Sequence, residues 1–186
     1  MRWEELFTDL EGELESLERA ELAGEVADRT RREQGLLGLG DRLLASLGAV
    51  LTARCLGGHL VAGRLLEVGP DWLLVEEAGR RQLLVAAGSV VTLVGLGPAA
   101  VVPGTMGEVA RRLDLRWALR GLARSRSGVR LLLVDGSTLA GTLDRVGSDH
   151  VELAEHPDGE LRRARAVRQV VTIPLLALSA VMSDAG

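Results

Sequence analysis

The stretch LVAGRLLEVGPDW at residues 60–72 returns 78 positions later as TLAGTLDRVGSDH at residues 138–150. At that offset Gly58, Ala62, Gly63, Leu65, Val68, Gly69 and Asp71 fall on Gly136, Ala140, Gly141, Leu143, Val146, Gly147 and Asp149. Seven identities in the 23-residue window 53–75, with the glycines in common register, mark an internal duplication. Further on, VVTLVGL at 90–96 aligns with VVTIPLL at 170–176 at an offset of 80, which implies a two-residue insertion near His156–Gly159.

Each copy has the pattern of short strands separated by turns. In the second copy Val129–Val134 is an apolar run, and Asp135-Gly136 supplies a turn that favours positive φ. Residues 138–145 then alternate in polarity around Gly141, and a glycine inside a strand marks a bend or a close approach of backbones. Gly147-Ser148-Asp149 turns the chain again, and residues 151–154 alternate. Leu161–Val167 and Gln169–Pro174 complete five strands, the last of them final in its copy, as Val90–Val94 is in the first. A helical stretch precedes each set, at Asp41–Leu47 and at Thr105–Ser125, the latter with Thr105 and Glu108 at capping-box spacing. At the start of the chain Trp3, Phe7, Leu10, Leu14 and Leu17 step by 4, 3, 4, 3, the seam of an acidic amphipathic helix.

Composition narrows the class. With 47% hydrophobic residues in 186, a buried core is within reach. Lys, Asn and Tyr are absent and all 22 basic residues are Arg, a composition typical of a GC-rich bacterial genome. The net charge of −4 is uneven, since residues 1–40 hold 11 acids against 5 Arg. A single Cys55 excludes an internal disulfide, and the acidic start lacks the form of a signal peptide, so a cytoplasmic protein is expected. Residues 83–107 carry no charge, but five Gly and two Pro interrupt them, and no membrane partner is expected.

A helix followed by five strands, with a DG turn, a mid-strand glycine and a late VVT strand, resembles the Sm-like family, which includes the bacterial Hfq proteins. The expected fold is therefore mainly β with helices: two tandem five-stranded Sm-like, SH3-like barrels, each preceded by a helix, behind an N-terminal acidic amphipathic helix. The corresponding divisions are an N-terminal helical region at 1–47, a first barrel at 48–97, a linker and Arg-rich helix at 98–126, and a second barrel at 127–182. The chain is also similar to small actinobacterial proteins of this layout. The resemblance implies rings joined edge to edge by the last two strands, which makes Val90, Val91, Thr92 and Leu93, and Val170, Val171, Thr172 and Ile173, the candidate oligomer edges. It also implies single-stranded RNA on the loops after strands two and four. In the family the loop after strand two carries Asp, a base-stacking aromatic or His, and Asn, and the last strand carries Arg-Gly or a similar basic signature. Here Asp71-Trp72 and Asp149-His150 echo the first half, while Asn and Arg-Gly are missing. Trp72 and His150 are therefore candidate base-stacking rings, although Trp72 reads first as a residue that starts the third strand and packs on the core or a neighbouring barrel.

Arg112, Arg116, Arg120 and Arg124 recur every four residues, as if on one helix with Val109, Leu113 and Trp117 on its buried side. Like charges at this spacing cost roughly 0.2–0.5 kcal/mol per pair, so the stripe calls for a counter-charge. Nucleic-acid phosphate and the acidic N-terminal helix both supply one. No catalytic residue, metal ligand set or cofactor is expected. Gly95, Gly97 and Ala100 imitate a dinucleotide loop, yet Val101–Gly104 ends any helix there within a turn. His59, His150 and His156 lack ligand spacing, and Asp149-His150 has no nucleophile beside it in the right context. The expectation is a non-enzymatic Sm-like module associated with RNA or DNA or with regulation. Its alternative is a self-associating protein-interaction scaffold that uses the acidic helix and the barrel edges.

Overall fold

The computed structural model describes residues 35–102, 104–157 and 167–183. The expected helix over Trp3–Leu17 and the expected strand Leu161–Val167 lie, wholly or nearly so, outside those residues. The chain divides into two compact units, Met1–Gly38 and Leu39–Gly186, and the sheet belongs to the second. Ten antiparallel strands follow one another: β1 Val50–Cys55, β2 Leu60–Val68, β3 Trp72–Glu76, β4 Gln82–Ala86 and β5 Val90–Val94, then β6 Gly128–Leu133, β7 Thr138–Val146, β8 His150–Glu155, β9 Gln169–Pro174 and β10 Leu178–Ser183. Helix α1, Leu39–Ala45, precedes the first five. Helices α2, Glu108–Arg111, and α3, Leu115–Ser125, precede the second five.

All ten form one sheet in the order β5-β1-β2-β3-β4-β10-β6-β7-β8-β9. The first five strands and the last five thus run through the same order, and their registers coincide. Leu51 pairs with Gly63 as Val129 pairs with Gly141, and the bulge between Leu65 and Glu67 recurs between Leu143 and Arg145. A bulge adds a residue to one strand and sharpens its bend. Both mid-strand glycines sit where backbones touch. A Cβ on Gly63 would lie 2.1 Å from the Glu76 carbonyl oxygen, and one on Gly141 would lie 2.2 Å from that of Ala154. Gly136 supplies the positive φ of the DG turn, at +89°, with the Asp135 carboxylate accepting from the Ser137 amide.

The second copy ends differently from the sequence expectation. Val170–Pro174 belongs to the fourth strand, β9, and the fifth is β10. The insertion is ten residues rather than two: Ala87 N–H donates to Asp71 O and Leu175 N–H to Asp149 O, spans of 16 and 26 residues. Strands four and five are both short and apolar, so VVT matched the wrong neighbour. The expected single helix over Thr105–Ser125 is two helices. Thr105 Oγ1 donates to Val102 O instead of capping, and Asp114 opens α3 by accepting from the Trp117 amide at 2.9 Å.

Two apolar cores result, and they exchange side chains. The first gathers Leu51, Val61, Leu65, Val75, Leu83 and Val85 with Leu43 of α1, and receives Ala180 of β10. The second gathers Leu131, Leu143, Leu153 and Ile173 with Leu115 and Leu119 of α3, and receives Trp72, Leu84 and Ala86 of β3 and β4. Strand β4 is consequently buried on both faces from Leu83 to Ala86, whereas its counterpart β9 buries one side. If close backbone approach holds the bent strands, Gly63→Ala and Gly141→Ala each lose about 1–3 kcal/mol. Gly40→Ala, in α1 with nothing within 4 Å of an added Cβ, gains up to about 1 kcal/mol. Urea unfolding of the three variants checks the ranking.

Candidate functional site

The same four-residue loop is used in two ways. Gly69-Pro70-Asp71-Trp72 and Gly147-Ser148-Asp149-His150 each close with the glycine N–H donating to the carbonyl of the aromatic residue, at 2.9 and 2.8 Å. Each ring lies over its glycine so closely that a Cβ would meet it, at 2.2 Å for Trp72 and 2.5 Å for His150. In the first copy the loop grips the entry to α3. Asp71 Oδ1 accepts from the Leu115 amide at 2.7 Å, and Trp72 Nε1–H donates to Leu113 O at 2.7 Å. Trp72 is 4% exposed within the second core, so its ring has no open face for a nucleobase. In the second copy Asp149 Oδ1 bonds His150 Nδ1 at 2.8 Å, and the pair stays near the surface. The bond to His150 holds the Asp149 carboxyl below the usual range.

The arginines do not form one stripe. Arg112 lies in the turn before α3, and only Arg116, Arg120 and Arg124 are on the helix. Arg116 Nε donates to Asp114 Oδ2 at 2.7 Å, and its guanidinium reaches Ser148 O at 3.3 Å. Partial burial pushes the Asp114 carboxyl up. The hydrogen bonds from Arg116 and the Trp117 amide, with the charges of Arg116 and Arg120, outweigh it and hold the group below the usual range. Among the described residues neither Arg120 nor Arg124 forms an ion pair, and both are exposed. Trp117 was expected on the buried face with Val109 and Leu113. It is 48% exposed, and Leu115 and Leu119 take the buried positions. Starting the helix at Leu115, where Asp71 and Asp114 cap it, sets that rotation.

Two clefts of about 310 Å³ each flank α3. One, at the loops of both copies, is bordered by Asp71, Ser89, Asp114, Arg116, Ser148 and Leu176. Its two carboxylates offset its one guanidinium, so it offers no net positive charge to a phosphate. The other has walls of Trp72, Leu74, Leu84, Leu122 and Val181, with Trp117 at its side.

The two outermost strands hold the other candidates. On β5, Val91 is 50% exposed, Thr92 is exposed, and Val90 and Leu93 are half-buried. On β9, Val170 is 57% exposed, Thr172 is exposed, Val171 is half-buried, and Ile173 points into the core. Neither strand carries a charge. His59 Nε2 contacts Leu133 O at 2.9 Å, which ties the two copies together. His156 is buried; its Nδ1 donates to the Pro157 carbonyl, which can only accept, and its Nε2 pairs with the Thr142 hydroxyl. Burial raises the Cys55 thiol above its ordinary range, opposed by the Ser89 hydroxyl. Among the described residues no group of three or more His, Cys, Asp or Glu is placed to hold a metal ion, and no helix is long and apolar enough to cross a membrane.

The sequence contained signals for what was missed. An Asp before an apolar run, as in Asp114-Leu115, is a helix start, and LSAVMS at 178–183 has strand composition. The double capping by Asp71 and Asp114 has consequences in acid. Because the folded pKa of Asp114 is lowered, its contribution is full above the unfolded carboxylate pKa and fades as pH falls through the folded value. Asp114→Asn should therefore lower the melting temperature near neutral pH, and the gap to the native chain should close in acid. Asp71→Ala, which leaves the Leu115 amide unpartnered, should cost about 1 kcal/mol at neutral pH. Thermal melts in a pH series read both.

No protein-family model matches the chain, and no curated protein matches it.

Proposed function

We propose that this is a tandem Sm-like protein of two small barrels, without catalytic activity, that acts as a scaffold by joining copies of itself head to tail. The observation that carries this is the pairing of β4 with β10. By the repeat, β10 is the fifth strand of the second copy and β4 the fourth strand of the first, so the chain already contains one four-to-five junction. It leaves one strand of each kind at an end of the sheet, β9 as a fourth strand and β5 as a fifth. Carrying the internal register to the ends pairs Ile173 of one chain with Thr92 of the next, Thr172 with Leu93, and Val171 with Val94. An interface between two different surfaces repeats from chain to chain and closes into a ring where the rotation allows.

Edge chemistry supports the reading. Proteins that keep a sheet edge unpaired guard it with Lys, Pro or inward charges. The sequences VVTLV and QVVTIP have no charge, and the single Pro174 comes at the end of β9. Val50, Val91 and Val94 at one end and Val170 and Leu176 at the other leave apolar surface exposed. Nucleic-acid association has the weaker support, because Trp72 is enclosed and the loop cleft lacks excess positive charge.

Light scattering at several concentrations tests the proposal with full-length chains. The native chain should form multimers. Val91→Glu blocks β5 and Val170→Glu blocks β9, so each variant alone should be monomeric. An equimolar mixture should give a dimer and nothing larger, since one open β9 meets one open β5. A native chain that remains monomeric at the highest concentration would refute it, as would variants that assemble undiminished.

A further inference from the structure

The groove beside α3 has an apolar floor and a polar lip. Trp72, Leu74, Leu84, Leu122 and Val181 form its walls and Glu67, Gln82 and Ser183 border it on the sheet side, while α3 on the other side carries no acid between Leu115 and Ser125. Trp117, Arg120, Gly121 and Arg124 stand at i, i+3, i+4 and i+7, so the exposed indole and two guanidiniums that form no ion pair among the described residues share one face. Such a surface fits an amphipathic helix with acidic flanks, laid in by its apolar seam. The chain's own N-terminal segment has that chemistry. Trp3, Phe7, Leu10, Leu14 and Leu17 recur at the spacing of such a seam, and residues 4–18 hold seven carboxylates and no Arg.

We infer that residues 3–17 of a second copy dock in this groove as an acidic helix, clasping neighbouring chains together. The choice of a second copy rests on the head-to-tail reading. Helix α3 begins against the copy that precedes it, at Asp71 and Trp72. By the same operation α1 begins against whatever precedes the first copy, which in an assembly is the second copy of the next chain. The segment entering α1 is thereby delivered to the neighbour. Residues 18–38 give it a reach of about 25 Å even as a coil.

Full-length chains carrying Leu14→Cys are mixed with full-length chains carrying Gly121→Cys under mild oxidation. Gly121 has nothing within 4 Å of an added Cβ, so the cysteine fits, and the native Cys55 is buried. A disulfide-linked heterodimer is expected on a non-reducing gel and absent from unsubstituted chains. Its yield should fall roughly threefold to tenfold when Arg120→Gln and Arg124→Gln are added, and should fall as salt is raised. No cross-link, or one that forms only with both cysteines in one chain, overturns the inference. So does a labelled single-stranded oligonucleotide whose binding to the full-length chain is lost with the same Arg120→Gln and Arg124→Gln changes, since the lip would then serve phosphate. Scattering mass on the same samples separates the failures: multimers without the cross-link overturn the docking alone, and monomers overturn the head-to-tail reading as well.

Discussion

The antiparallel pairing of β4 with β10 makes ten strands into one body. Its ladder runs from Gln82 against Ser183 to Val85 against Ala180. A backbone hydrogen bond adds only about 1 kcal/mol net, whereas burying a Leu or Val side chain stabilises by about 1.5–3 kcal/mol. The strength of the junction therefore lies in what the ladder brings together. Leu84 and Ala86 leave the first core and enter the second, Trp72 follows from β3, and Ala180 crosses the other way. Ser89 Oγ donates to Ser179 O and Ser179 Oγ to Leu56 O, so the polar groups at the seam are paired as well.

That burial also explains how the two copies diverged. On the outer face of β3 and β4 stand Trp72, Leu74, Leu84 and Ala86, at the edge of the second core beside α3. The register places His150, Glu152, Thr172 and Pro174 at the same points of β8 and β9. The first copy has an apolar outer face where Trp72, Leu84 and Ala86 join the second core, and the second has a polar one with Glu152 near Arg145. A junction between chains would keep the ladder and the edge valines while lacking the apolar cover. It would be the weaker of the two, suited to assembly that responds to concentration.

How far the sequence reveals this depends on the range of each constraint. Gly63, Gly141 and the Asp135-Gly136 turn were legible because a close approach or a positive φ is imposed within a few residues. The identity of the fifth strand of the second copy was not, since QVVTIP and LSAVMS are both short apolar runs and the longer loop before β9 shifts the alignment. Trp72 could be read as a stacking ring or as a packing residue, and only the position of α3 decides. The arginine spacing showed a charged helix but not its start. Asp114 and Asp71 fix that start, exclude Arg112 from the helix and turn Trp117 toward the groove.

Residue-resolved amide hydrogen exchange tests the junction most directly. If β4 and β10 join the two cores into one cooperative unit, the ladder amides of Leu84, Val85, Ala180 and Val181 exchange among the slowest in the chain, and they lose protection together with the interior strands β1 and β6 as denaturant is added. Fast exchange along β4 and β10 while β1–β2 and β6–β7 stay protected would contradict it, because the copies would then be separate bodies that only touch.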